Sequence, residues 1–327
     1  MLREYTYAGL AALIFGLVIG KVSIPLLQIL KFGQIVRSDG PSSHLKKKGT
    51  PTMGGVIFLV SALLVTWFVA LQYRIGSILD LTIITIFTLG FGLIGLVDDT
   101  LKVVFKRPLG LLAREKLLWQ FILTVSASLV LHTIDHSTEL TIPFIGYSLD
   151  LGLLYWPFLL FIGIGFSNAV NLTDGVDGLA GSTMLFSCLA YIMIGLVTGV
   201  GITTLFSSSL AGGLLAFLYY NRHPARMFMG DVGSLALGGG FVAMGVLTKT
   251  ELLLPLVGAV FVWSAISVTV QVVYFRLSGG RRLFRMAPYH HSLELGGWSE
   301  WSIVAIYSFG AAVCAVLGIL GLVNMGR

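Results

Sequence analysis

The sequence predicts an all-α polytopic membrane protein, from its composition, the length of its apolar stretches and the placement of its basic residues. The 327 residues are 56% apolar and only 11% charged, and the mean hydropathy is +0.92. Soluble domains carry about 25% charged residues, so this chain lacks the polar side chains needed to cover a water-facing surface. The composition therefore excludes a soluble globular protein and a disordered chain.

Ten apolar stretches are each long enough to cross a bilayer as a helix. A helix rises about 1.5 Å per residue, so about 20 apolar residues span a hydrocarbon core of about 30 Å. Helices are predicted rather than barrel strands, because the stretches do not alternate between polar and apolar residues. The predicted spans are residues 6–29, 54–72, 77–97, 117–134, 152–169, 179–198, 201–219, 233–248, 252–275 and 303–324. Together they are predicted to form one integral membrane domain, residues 1–327.

The loops between these spans differ in charge. Ten spans place both termini on one side, and most of the 21 lysines and arginines lie in loops on the other side. By the positive-inside rule that basic side is cytoplasmic, so both termini are predicted to be extracytoplasmic. The net charge of +6 therefore reflects topology, and no nucleic-acid partner is predicted. Residues 135–151 alternate in polarity, which predicts a small extracytoplasmic β-hairpin near 140–150.

Five aspartates lie at the predicted cytoplasmic helix ends, although three separate loops supply them. Carboxylates are costly near lipid and are rarely kept there without a partner cation or a function. Hard oxygen ligands favour Mg²⁺ over zinc, which prefers thiol and imidazole ligands. The aspartates are Asp98, Asp99, Asp174, Asp177 and Asp231. Beside many lysines and arginines, they predict a site that holds a divalent metal and phosphate groups.

The strongest local motif is GLVDDTLK, in which Asp98 and Asp99 end the third predicted span. Adjacent carboxylates repel each other and need a cation, and Lys102 shares the face of Asp98 if the helix continues. The alternative is a solvated helix end with an ion pair. In the motif NRHPARMFMGDVGS, Asp231 precedes a helix start, where it could be a simple N-cap worth about 1 kcal/mol. Phe228 of that motif could stack on a base or anchor the chain at the interface.

A polar turn, SNAVNLTDGVDGLAG, separates two very apolar helices. Its glycines permit close backbone approach, and its amides and carboxylates suit a sugar or a base. An Asx-rich turn is the alternative, but it explains poorly why so many polar groups occur together. The polar groups that we single out are Asn168, Asn171, Asp174 and Asp177.

Two further segments carry polar groups toward the same face. GTPTMGG, residues 49–55, predicts a tight loop whose backbone amides and hydroxyls, including Thr52, can contact phosphate or nucleotide. The lysine run before it, which includes Lys47, is typical of a basic segment at the cytoplasmic membrane surface that binds anionic lipid headgroups. In MAPYHH, His290 and His291 are adjacent and would diverge in a regular element, so a loop is needed for both to serve one ligand.

In this order, the motifs GTPTMGG, DDTLK, NLTDGVDGLAG, FMGDVGSLALGG and MAPYHH resemble those of the phospho-N-acetylmuramoyl-pentapeptide transferases. That family belongs to the polyprenyl-phosphate N-acetylhexosamine-1-phosphate transferase superfamily, and the resemblance covers nearly the whole chain. It implies Mg²⁺-dependent transfer of phospho-MurNAc-pentapeptide from UDP-MurNAc-pentapeptide to undecaprenyl phosphate, which yields UMP and the first lipid intermediate of peptidoglycan synthesis. It also implies a multi-pass protein of the bacterial plasma membrane, a cytoplasmic active site and a homodimer.

The resemblance also implies residue roles, carried over position by position. Asp98 and Asp99 match the family's paired aspartates, and Asp231 matches its magnesium ligand, so all three are candidate metal ligands. The catalytic set that follows is Asp98, Asp99, Asp231, His290, Lys102 and Lys116. The resemblance matches six positions to the family's nucleotide pocket, and the motifs above add Thr52, Asn168 and His291. The substrate-binding set is therefore Lys47, Thr52, Asn168, Asn171, Asp174, Asp177, Asn221, Phe228 and His291. Ser292 stands where the third histidine of an HHH run is common in the family.

Two alternatives stay open at this point. A transferase that moves GlcNAc-1-phosphate to the same lipid shares the superfamily, and GTPTMGG with MAPYHHSLE favours the muramoyl-pentapeptide enzyme by resemblance alone. A secondary transporter also keeps acids within its membrane helices, but its sites usually lie near the midplane between internal repeats. Here the acids lie at one face and no repeat is evident, which favours the transferase.

Overall fold

The computed structural model describes residues 1–29, 49–107 and 109–322, and within these ranges ten helices are long and apolar enough to span a bilayer. The predicted fold class, an all-α polytopic membrane protein, is therefore confirmed. The helices are α1 (Leu2–Ile29), α2 (Gly55–Tyr73), α3 (Ile78–Val103), α4 (Ala113–Thr133), α5 (Tyr155–Thr173), α6 (Leu179–Val197), α7 (Gly201–Asn221), α8 (Gly230–Leu247), α9 (Ala259–Leu277), the short α10 (Tyr289–Leu295) and α11 (Glu300–Leu322).

Helices α7 and α8 form the centre of the bundle, because they are the most buried of the ten spans, whereas α1, α4 and α9 are the least buried. Glycines of α8 allow its neighbours to approach closely. A methyl group on Gly239 would lie 2.0 Å from Phe87 O in α3, and one on Gly238 would lie 2.4 Å from Ser167 Cα in α5. Small residues at such contacts are typical of membrane helices, which associate by close packing. The central helix α8 therefore sets the positions of α3 and α5.

A β-hairpin lies at one end of the bundle. Strands β1 (Glu139–Thr141) and β2 (Ser148–Asp150) pair antiparallel, with Leu140 opposite Leu149, as the alternating pattern predicts. At the same end, Phe144 N donates to Gly321 O at 3.0 Å. We call this the hairpin end, and the opposite end, where the α3–α4, α5–α6 and α7–α8 loops meet, the site end.

Several helix boundaries differ from the prediction, and three of the differences affect the site or the course of the chain most. Helix α3 continues to Val103 instead of ending at residue 97, and α8 begins at Gly230 instead of residue 233. The predicted span 252–275 is interrupted, because Glu251–Leu253 is a short 3-10 helix and Leu254–Val257 is a separate four-residue α-helix before α9. Apolar patterning marks where lipid contact ends, whereas the α3 and α8 extensions are polar and are stabilised by partners on other helices. Both extensions carry residues of the candidate site.

Candidate active site

Three carboxylates from two helices meet at the site end. Asp98 and Asp99 come from α3 and Asp231 from the first turn of α8, and one oxygen of each lies within 4.8 Å of the others. The Asp98 residue is fully buried, and the Asp231 side chain is 17% exposed. Asp231 is not the N-cap that the sequence left open, because Met229 holds that position. Its carboxylate is therefore available to contact other elements.

Two glycines bring the carboxylates together. Gly95 packs so closely on α8 that a methyl group there would lie 2.1 Å from Asp231 O. Gly230 has a φ of 74° and begins α8, and a methyl group there would lie 2.5 Å from Asp99 Oδ2 and 2.9 Å from Thr52 Oγ1. This conformation and this spacing both require glycine. Thr52 and Asp99 consequently pack against the first turn of α8, which carries Asp231. Asp99 Oδ2 accepts a hydrogen bond from Val232 N at 3.1 Å.

Two lysines pair with Asp98 and Asp231 of the carboxylate cluster. Lys102 Nζ contacts Asp98 Oδ2 and lies 3.1 Å from Asp231 Oδ2. Lys116 Nζ, from α4, lies 2.8 Å from Asp231 Oδ2 and 3.6 Å from Asp98 Oδ1. The expected face shared by Asp98 and Lys102 is present because α3 continues as a helix. Asp98 Oδ1 also accepts from Leu111 N at 2.8 Å, so its carboxylate holds the α3–α4 loop.

The asparagines of α5 have different surroundings. Asn171 Nδ2 donates to Asp231 Oδ1 at 2.9 Å and to Ser234 Oγ at 2.7 Å, so its amide is part of the cluster. Asn168, one turn deeper, donates to Gln120 Oε1 at 3.0 Å and to Ile164 O at 2.8 Å. The predicted substrate-binding residue Asn168 thus directs its amide nitrogen at α4 and at its own helix.

The two histidines face the α5–α6 loop from a helix. From the sequence, a loop was needed for His290 and His291 to serve one ligand, but both residues lie in the short helix α10. Their ring centroids are only 4.3 Å apart, and a methyl group on Gly175 would lie 2.4 Å from His290 Nε2 and 2.8 Å from His291 Nε2. Side chains as long as histidine can converge on one point although their Cβ atoms diverge. The pair therefore abuts the turn that carries Asp174.

Asp174 lies within the field of the carboxylate cluster. Burial and the nearby carboxylates of Asp231 and Asp99 raise the pKa of Asp174 to about 8. A cation bound between these groups would favour the charged form and lower this pKa. The electrostatics of the loop and of the cluster are thus coupled.

Asp177 and Asn221 hold two loops of the site together. Asp177 Oδ2 accepts from Ala225 N at 3.0 Å and lies 3.2 Å from His223 Nδ1. Asn221 Oδ1 accepts from Gly178 N at 2.9 Å, and its Nδ2 donates to Met227 O at 2.8 Å. The side chains of both predicted substrate-binding residues therefore brace the α5–α6 loop against the α7–α8 loop.

The remaining predicted residues lie on the α7–α8 loop or outside the described ranges. The backbone of Phe228 pairs with the segment before α2, where its N–H donates to Pro51 O and its carbonyl accepts from Gly54 N. Its side chain is partly exposed at the site end, where a base could stack on it. Lys47 lies outside the residues that the structure describes.

Several polar residues of the site were not predicted from the sequence. Glu300, at the start of α11, accepts from Asp177 N at 3.2 Å, and its other oxygen lies 3.4 Å from His223 Nδ1. Ser234 supports Asn171, and Gln120 pairs with Asn168. The available signal was a polar side chain inside or beside an apolar helix, which membrane helices rarely keep without a partner.

The chemistry of the donor set fits a hard divalent cation. Asp98, Asp99 and Asp231 offer carboxylate oxygens, and a lone Mg²⁺ site of this kind is completed by water and substrate phosphate. Lys102 and Lys116 supply two positive charges beside them. The arrangement can therefore bind and screen a polyphosphate.

The comparisons with known proteins agree with this chemistry. A family model for glycosyl transferase family 4 matches residues 81–249, and phospho-N-acetylmuramoyl-pentapeptide-transferase signature 1 matches residues 47–59. The phospho-N-acetylmuramoyl-pentapeptide-transferase of Desulforudis audaxviator is 49% identical over the whole of both chains. The protein of the same name from Desulfitobacterium hafniense is 45% identical over 96% of each chain, and that of Desulforamulus reducens is 46% identical over 97% of this chain and 96% of its own.

Proposed function

The chain belongs to the phospho-N-acetylmuramoyl-pentapeptide-transferase family, and we propose that it transfers phospho-MurNAc-pentapeptide from UDP-MurNAc-pentapeptide to undecaprenyl phosphate. The products are lipid I, the first lipid intermediate of peptidoglycan synthesis, and UMP. The observation that carries this proposal is the near full-length similarity to these transferases, in a chain that joins three carboxylates and two lysines at one end of ten spans.

The barrier to this reaction is the repulsion between two anions. Lys102 and Lys116 reduce it when their ammonium groups contact the phosphate oxygens of the substrate. Both ammonium groups also contact Asp231. Phosphate oxygens that enter between these groups would be screened by both lysines beside the Asp231 carboxylate.

We assign Mg²⁺ to the carboxylate cluster, with Asp231 as a ligand and Asp98 and Asp99 beside it. The convergence of three carboxylates on two helices supports this assignment, since hard oxygen donors suit this ion. Bound there, Mg²⁺ would supply positive charge to the pyrophosphate. Asn171 orients the Asp231 carboxylate by donating to Oδ1, which leaves Oδ2 toward the lysines.

Chemically, an oxygen of undecaprenyl phosphate attacks the β-phosphorus in line. A new phosphorus–oxygen bond forms, the bond to the bridging oxygen breaks, and that oxygen leaves with UMP. A phosphate monoester has a second pKa of about 6, so the lipid phosphate is mostly dianionic at pH 7 and needs little deprotonation. We therefore favour direct attack, with Asp98 positioning the reactants or accepting a residual proton. A phospho-aspartyl enzyme trapped during turnover would contradict this order of events.

The two braced loops form the nucleotide side of the site. Asp177 and Asn221 preorganise this wall through their contacts across the loops, and Phe228 offers an aromatic face to the base. His290 and His291 approach the same wall at Gly175, where they can contact the phosphates of the nucleotide. Lys47 completes the substrate set by family resemblance, and Thr52 by the hydroxyl that it offers in the GTPTMGG loop.

The site end faces the cytoplasm of a bacterial plasma membrane in this proposal, and both termini are outside. The basic loops support this orientation. A membrane-impermeant maleimide is expected to label Ile145→Cys in intact spheroplasts and Arg281→Cys only after lysis, and the reverse pattern would invert the topology.

The family resemblance also supports a homodimer, which sedimentation of the detergent-purified protein tests.

The deciding experiment offers purified protein two sugar nucleotides separately, UDP-MurNAc-pentapeptide and UDP-GlcNAc, with undecaprenyl phosphate and Mg²⁺. UMP release and a lipid-linked product are expected from the first sugar nucleotide alone. Product from UDP-GlcNAc alone would assign the GlcNAc-1-phosphate transferase activity instead. Asp231→Asn is the matched control with strongly reduced turnover, and turnover in detergent without vesicles excludes a transport reaction.

A further inference from the structure

Lys116 of helix α4 reaches the site, although few residues of this helix are buried. Of its 21 residues, those buried are Gln120, Thr124, Ala127 and Leu131. A helix in lipid gains no hydrophobic free energy from its rotational setting, so a few interior contacts must determine which way it faces. Two of the four buried residues are polar.

Gln120 supplies the most specific of these contacts. Its Oε1 accepts from Asn168 Nδ2 at 3.0 Å, and its Nε2 donates to Ser167 Oγ at 3.1 Å. The residue is fully buried, and it lies one helical turn after Lys116, on the same face of α4. Its amide thus spans two consecutive residues of α5 and pairs with both.

The same two helices also meet at Asp231. Lys116 contacts Asp231 Oδ2 from α4, and Asn171 contacts Asp231 Oδ1 from α5. One turn deeper, Gln120 of α4 pairs with Asn168 of α5. Each helix therefore sends one polar side chain to the carboxylate and another to its neighbour. In a low-dielectric interior a misaligned amide pair is costly, so the pair sets the rotation of α4.

We propose that Gln120 is a positioning residue of the transferase reaction, which sets the rotation of α4 through its pair with Asn168 and so directs Lys116 at Asp231. This inference rests on the proposed function. Gln120 touches no reacting atom in this proposal and acts through Lys116.

The first test replaces Gln120 with leucine, which keeps the volume and removes the amide. We expect kcat to fall about 10- to 100-fold, since a misplacement of about 1 Å can cost about 100-fold. KM for either substrate should change less than about threefold, because the binding loops are untouched. Ser126→Ala is the matched control on α4, as the Ser126 hydroxyl donates to Ile122 O of its own helix. The control is expected to keep the wild-type kcat.

A double-mutant cycle separates positioning from general damage. If Gln120 acts through Lys116, then Gln120→Leu should lower kcat less than twofold in a Lys116→Met background. Multiplicative losses in the double variant, or a wild-type kcat in Gln120→Leu itself, would overturn the proposal.

An exchanged pair covers the case in which the leucine variant does not fold. Gln120→Asn shortens the amide and is expected to lower kcat, and adding Asn168→Gln should restore at least half of the loss on a logarithmic scale. An exchanged pair no better than Gln120→Asn alone would refute the pairing. Failure of the proposed function is seen separately, because the wild-type protein would then release no UMP from UDP-MurNAc-pentapeptide.

Discussion

The closest helix contact in the site predicts a large effect of one methyl group. In Gly95→Ala the new carbon would lie 2.1 Å from Asp231 O and 2.2 Å from Asp231 C, whereas ordinary contact begins at 3.4 Å. Both atoms are backbone, so no side chain can turn aside. Helices α3 and α8 must therefore separate locally by about 1.3 Å, the difference between 3.4 and 2.1 Å. This movement takes Asp98 and Asp99, one turn after Gly95, away from Asp231.

The expected loss follows from that displacement. A misplacement of about 1 Å can lower turnover about 100-fold, which corresponds to about 2.7 kcal/mol of transition-state stabilisation. Overpacking costs about 1–3 kcal/mol of stability, which the better helix propensity of alanine offsets by about 1 kcal/mol. Gly95→Ala should therefore lose far more activity than thermal stability. UMP release and thermal unfolding, both in detergent, measure the two effects.

Gly165→Ala provides the matched control. Gly165 lies in α5, and a methyl group there meets no atom within 4 Å, so the variant gains helix propensity without a clash. Its turnover should equal that of the wild-type protein. Turnover of Gly95→Ala within threefold of wild type would refute the reasoning that close approach at Gly95 holds the carboxylates together.

Three further predictions concern charge in the site. Asp231→Asn should lower turnover about 10²- to 10³-fold. Mg²⁺ should raise the midpoint of thermal unfolding of the wild-type protein but not that of this variant. An equal rise in both proteins would show that Asp231 is not a metal ligand. Lys102→Met should lower kcat at least 10-fold. The variant should still fold, because Lys116 continues to pair with Asp231. An unchanged kcat would contradict the proposed contact of Lys102 with the substrate phosphate. Because the pKa of Asp174 is raised from 3.8 to about 8, its ionisation opposes folding increasingly as the pH rises from about 4 to about 8. Asp174→Asn should therefore raise the unfolding temperature of metal-free protein by an amount that grows across this pH range and is constant above it, whereas a pH-independent difference would contradict the shift.

Ten spans, the hairpin at 139–150 and the set of candidate aspartates were predictable from the sequence, because each is a local property of the chain. Hydropathy over about 20 residues determines whether a helix is stable in lipid. The alternating pattern of residues 139–150 and the glycine-rich polar turn at 174–178 are local in the same sense. The helical extensions to Val103 and from Gly230 were not predictable, since partners distant in sequence stabilise them.

The sequence by itself determined that this protein crosses the membrane ten times and that aspartates and lysines recur in the basic loops on one side. Only the tertiary structure decided which of them touch. Asp231 meets Asp98 because Gly95 lets two backbones approach, and Lys116 reaches Asp231 while Gln120 of the same helix pairs with α5. Such contacts depend on the separation and rotation of whole helices. Neither quantity is encoded in the apolar pattern of a single span, since lipid solvates every apolar face of a helix equally well.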